Sequence, residues 1–90
     1  MNRLNQLKEE LVGGRITVYG LQQKLKIHLL DQVSSVALEV PIESGPLENE
    51  INEIDNELEL IIHTLKVENQ VKRALYVIGK AEMLLEKLHT

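Results

Sequence analysis

The stretch LELIIHTLKVENQVKRALYVI, Leu58 to Ile78, decides how this chain folds. It contains no Gly or Pro to stop a helix, yet its apolar residues change sides halfway. On a helix that advances about 100° per residue, Leu47, Ile51, Ile54, Leu58, Ile61, Ile62 and Leu65 share one stripe roughly 100° wide. Beyond residue 66 the same stripe receives Glu68, Asn69 and Lys72. Val67, Val71, Ala74, Leu75, Ile78, Ala81, Leu84, Leu85 and Leu88 now centre on nearly the opposite side.

Two structures satisfy this inversion. A break around KVENQ, with Asn69 as N-cap, lets residues 70–89 fold back so that both apolar faces enter one core. The alternative is one long helix over 46–89, roughly 65 Å long at 1.5 Å per residue, whose halves bury their faces against different copies of the chain. Thr64, Val67 and Asn69 are only mildly helix-averse, so the pattern favours the long helix, kinked or split near 66–69 if at all. Tyr76, Gly79 and Met83 continue the old stripe and leave the C-terminal segment apolar around much of its circumference, as in a helix surrounded by others. Val71, Leu75, Tyr76, Ile78, Gly79, Met83 and Leu85 are therefore the expected oligomer or partner interface.

Working outward, EVPIESGP is the clearest interruption. Pro41 disfavours helix at Val40, Gly45 frees the turn, and Pro46 suits a first helical position, so 41–45 reads as a loop. Upstream, Thr17 is an N-cap candidate for a helix whose stripe runs Val18, Leu21, Leu25, Leu29, Val33 and Val36. RITVY and SVALEVPI also allow short strands at 15–19 and 35–42. Leu4, Leu7 and Leu11 mark a short helix over 2–12, closed by Gly13-Gly14. The reading is a single all-α domain over 1–90: a short helix and glycine hinge (1–14), a second helix (15–40), a loop (41–45) and a long C-terminal helix or helical hairpin (46–90). This makes three helices, completed into a bundle by homo-oligomerisation as a dimer or higher, with coiled-coil-like packing.

Size and composition narrow the functions. A chain of 90 residues sits where one core is marginal, and without Cys no disulfide supplements it, so association is the available supplement. The absence of Cys also fits a reducing compartment, and the opening residues lack an apolar run of signal-peptide length; a soluble cytoplasmic protein is expected, with no membrane span. Residues 41–68 carry eight acids against one base, within a net charge of −4. With no Phe or Trp and only Tyr19 and Tyr76 as aromatics, neither a basic groove nor a stacking platform for nucleic acid is present.

Candidate chemistry is sparse. Glu86 with His89 and Glu59 with His63 have metal-pair spacing, but a di-iron bundle needs two such motifs and two further inward Glu residues. His28 and Asp31 are within reach on a helix, yet Ser34, Ser35 and Ser44 lie in no nucleophile elbow. Gly13, Gly14 and Gly20 lack the Lys-Ser/Thr of a phosphate loop. No catalytic residue, metal or cofactor is expected, and the chain reads as a non-enzyme. Gln22 and Lys26 fall in or beside an apolar stripe, where polar groups need partners. They either pair structurally or, for Lys26 with Arg15 or with Lys72 and Arg73, hold a small anionic ligand or nucleotide between subunits. The expected function is a regulatory interaction protein that binds itself and another protein. Ligand sequestration is one alternative; another is acidic mimicry of nucleic acid by Glu48–Glu59, with Glu50, Glu53 and Glu57 as its charges.

Overall fold

The computed structural model describes residues 3–89, apart from the side chain of Ser44. The expected helix start at residue 2 and the last residue of the chain lie outside them. Among the described residues the all-α expectation is met with four helices rather than three: α1 (Arg3–Val12), α2 (Val18–Glu39), α3 (Ser44–Thr64) and α4 (Val67–Leu88). Residues 35–39 continue α2, and no strand forms among the described residues.

Local chemistry sets most of the boundaries. Gly14 adopts φ 74, the left-handed conformation that only glycine takes without strain. Around it the Arg15 N–H bonds the Glu10 carbonyl at 2.8 Å and the Gly14 N–H bonds that of Leu11 at 3.2 Å, a Schellman closure of α1. Thr17 caps α2, its Oγ1 accepting from the Gly20 N–H at 3.1 Å. At the other end Val40 is extended, as the residue before Pro41 prefers. Helix α3 begins at Ser44, two residues before the expected start at Pro46. The first four N–H groups of a helix have no intrahelical partner, so Pro46 is tolerated inside the first turn as well as at its first position.

The long C-terminal helix is the main correction. Leu65 (φ −105, ψ 148) and Lys66 (φ −66, ψ 150) are both extended, and the segment is split into a tight hairpin. The N-cap of α4 is Lys66, three residues before the expected Asn69, and it makes no side-chain cap. Gln70 closes the turn instead. Its Nε2 donates to the carbonyls of Leu65 at 3.0 Å and Ile62 at 3.3 Å, satisfying acceptors that the end of α3 would leave open.

Folding the hairpin turns both apolar stripes inward. Ile51, Ile54, Leu58 and Ile61 of α3 meet Ala74, Val77, Ile78, Ala81 and Leu84 of α4 in one core with the buried stripes of α1 and α2. Successive helices run antiparallel, with Lys24 by Glu10, Lys26 by Asp55, and Lys80 and Lys87 by Glu57 and Glu50. Consequently α2 and α4 run parallel, with Gln32 beside His89. These two helices pack together in the middle while α1 and α3 flank them on opposite sides. The result is a slab of 42 × 27 × 17 Å. One broad face has α2 at its centre and the other has α4.

Candidate functional site

The chain covers its own C-terminal core, and this sorts the expected interface residues into two groups. Ile78 is fully buried within its own chain. Val71, Leu75 and Leu85 are half-buried and pack against the same core. Tyr76 and Met83, by contrast, stand out from α4 at 60% and 70% exposure, with Gly79 between them. The apolar circumference of α4 is thus covered on the side of α1, α2 and α3 and open along the Tyr76–Met83 line.

That open line is set among cations. Lys72, Arg73, Lys80 and Lys87 all lie exposed on the outer side of α4. The Arg73 guanidinium sits 5.3 Å and the Lys80 ammonium 5.5 Å from the centre of the Tyr76 ring, within cation–π range. Lys80 also bonds Glu57, and this contact raises its pKa above the usual lysine value. Lys87 pairs with Glu50 at 2.8 Å. Between these two bridges α3 and α4 leave a groove of about 290 Å³, lined by Glu53, Ile54, Met83 and Leu84 as well as by the bridging residues. The acids of α3 and the bases of α4, separate in sequence, meet across the hairpin.

A second recess, of about 350 Å³, lies near the start of α4 among Leu65, Asn69, Lys72, Arg73 and Tyr76. Lys26, the third expected anion ligand, is on α2, where its Nζ lies 3.6 Å from Asp55 Oδ2. Its neighbour in the stripe, Gln22, is only 6% exposed and is paired structurally: its Nε2 donates to Glu59 Oε2 at 2.9 Å and to the Asp55 carbonyl at 3.3 Å. These contacts, with His63 Nε2 at 2.8 Å from the other oxygen, hold the Glu59 carboxyl below its ordinary pKa, the Gln22 hydrogen bond being the largest cause.

Of the two metal-pair candidates, Glu59 and His63 are in contact, whereas His89 turns to Gln32. No group of three or more metal-ligating side chains gathers among the described residues. His28 is half-buried beside Arg3 in a polar recess; burial first, and the Arg3 charge second, push its pKa below 6.5. No described helix is long and apolar enough to cross a membrane.

The outer side of α2 was not anticipated. Tyr19, Ile27, Leu30 and Leu38 are exposed there, Ile27 at 61% and Leu38 at 89%. The signal was present in the sequence: α2 is apolar on two sides, with its charges confined to the strips between them.

Comparison of the chain with protein-family models, with curated proteins and with solved structures finds no significant match in any of the three.

Proposed function

We propose that this chain is a small non-enzymatic interaction protein of the cytoplasm that acts as a homo-oligomer and regulates another protein by binding it through the outer face of α4. The observation that carries this reading is the exposure of Tyr76 and Met83 on the outer face of α4, with Lys72, Arg73, Lys80 and Lys87 beside them. An exposed aromatic and a pliable thioether amid basic side chains is the composition of an interface centre with a charged rim. The partner surface that fits it is apolar and edged with carboxylates. A photo-crosslinking residue placed at position 76 should yield one discrete protein adduct in cells, lost when Met83→Ser is added and absent from the same probe at Glu39. A pattern identical at the two positions would contradict the reading.

A second reading is favoured by the recess at Lys72, Arg73 and Tyr76, where two cations and an aromatic face surround a space of about 350 Å³. Inorganic phosphate or a nucleotide is the chemistry that fits it. A thermal shift with a nucleotide panel, abolished by Lys72→Ala with Arg73→Ala, would support this. No shift with any member would end it.

A further inference from the structure

Helix α2 occupies the centre of the broad face opposite α4, and its outer side carries a regular pattern. Gly20, Gln23, Ile27, Leu30, Ser34 and Ala37 follow one another at alternating intervals of three and four residues, the spacing of a coiled-coil seam. None is charged. Tyr19 and Leu38 extend the stripe at its ends, both exposed. The charges of α2 lie beside it or at its end: Lys24, 4.0 Å from Glu10, and Asp31, both exposed, on the α1 side, Lys26 on the α3 side, where Asp55 faces it, and Glu39 as the last residue of the helix. A helix centred on a broad face, with an uncharged seam of about 28 Å from Tyr19 to Leu38, is built to receive another helix along its length.

From this geometry we infer that the occupant is a second copy of this chain, docked α2 against α2 in antiparallel fashion about a two-fold axis passing between residues 28 and 29. The inference rests on the homo-oligomeric part of the function proposed above and names its surface. With the axis there, Ile27 of one copy meets Leu30 of the other, Gln23 meets Ser34, and Gly20 meets Ala37. Large side chains fill the centre, hydrogen-bonding ones pair outside them, and the small residues let the helix ends approach. The same operation sets Lys24 against Asp31 of the second copy, and symmetry makes that contact twice. A parallel pairing brings Asp31 to Lys26, whose ammonium lies 3.6 Å from Asp55, closer than the 4.0 Å between Lys24 and Glu10, and leaves Lys24 opposite Tyr19. Charge complementarity therefore selects the antiparallel arrangement. One helix pair buries an area at or below the low end of specific interfaces, about 1,200 Å², so the dimer forms reversibly with concentration.

Sedimentation equilibrium from about 10 µM to about 1 mM reads this directly, in the range where weak dimers dissociate. The wild-type chain should pass from monomer to dimer. Ile27→Lys with Leu30→Lys should stay monomeric while keeping the helical circular dichroism and melting temperature of the parent. Lys24→Glu should weaken the dimer about tenfold, and adding Asp31→Lys should restore it. Because the chain has no Cys, Gln23→Cys and Ser34→Cys variants can be mixed and oxidised. A heterodisulfide between the two variants supports the antiparallel register, whereas disulfides formed only within each variant overturn it. An oligomer insensitive to the Ile27 and Leu30 changes overturns this inference alone, leaving assembly through α4 or binding of another protein to α2 as the surviving alternatives. A monomer at every concentration overturns both the inference and the homo-oligomeric reading.

Discussion

The Gln70 side-chain amide, on the first turn of α4, donates to the Leu65 carbonyl at 3.0 Å and to the Ile62 carbonyl at 3.3 Å, tying the start of one helix to the end of the one before. No Gly, Pro or side-chain N-cap stands at this junction, so the turn depends on Gln70 more than on backbone preference. We expect Gln70→Leu to cost about 1–2 kcal/mol, since it leaves two partly buried carbonyls short of a donor. Chemical denaturation of the variant measures this. A loss below about 0.5 kcal/mol would place the closure of the hairpin elsewhere.

The buried and exposed members of the expected interface should respond differently to truncation. Ile78→Ala opens a hole in the core of a single chain and should cost about 2–5 kcal/mol at any protein concentration. Met83→Ala removes a side chain that touches solvent and should change stability by less than about 0.5 kcal/mol. Thermal melts at two concentrations separate the cases. If Ile78 lay in an interface between chains, its effect would fade as concentration rose.

Gly79 offers a stabilising substitution. A Cβ built there meets no atom within 4 Å, and its φ is not in the left-handed region. Gly79→Ala should raise stability by about 0.5–1 kcal/mol through the helix propensity of α4. A fall in stability, or a loss of assembly, would show that another helix approaches the backbone at this position.

Two groups make the fold weaken in acid. Burial, aided by Arg3, lowers the His28 pKa from 6.5, so the unfolded chain binds the proton more tightly and stability begins to fall as pH drops below 6.5. Glu59 titrates below its ordinary 4.5 because Gln22 and His63 hydrogen-bond its carboxylate. Its contribution is complete above that value and is lost as pH falls through the lowered one. Denaturation midpoints measured from pH 7.5 down to about pH 2.5 should therefore decline in two stages. His28→Gln should flatten the upper stage, and Gln22→Met should raise the Glu59 titration followed by carboxyl NMR. An unmoved Glu59 titration in the Gln22 variant would contradict the pairing.

The legible parts of this fold are those written in local backbone chemistry. Gly14 had to turn left-handed, Thr17 had to cap, and Pro41 had to end the second helix; each acts within a few residues of itself. The inversion of wetting near residue 66 was equally plain, but it admits two solutions. Choosing between them required seeing Gln70 reach back five and eight residues, a contact that no propensity scale encodes. The interface was half legible for a related reason. A wheel shows that Ile78 and Met83 are both apolar, but only the position of α1, α2 and α3 decides which of them α4 covers. The seam on α2 went unseen because apolar residues on two sides cancel in any measure of one-sidedness, and the inner stripe alone suffices to call the helix.

The α3–α4 hairpin underlies the whole fold, because only the fold-back lets one chain shelter both stripes and leaves α2 and α4 to present outer faces. Spin labels at Glu48 and Glu86, in chains diluted with unlabelled protein to suppress distances between copies, test it by pulsed dipolar spectroscopy. The two sites lie near the same end of the hairpin, on helices that pack about 10 Å apart, so the distribution should centre below about 30 Å with label linkers included. An unbroken helix would hold them about 57 Å apart, and a peak at that distance would contradict the structure and everything inferred from it.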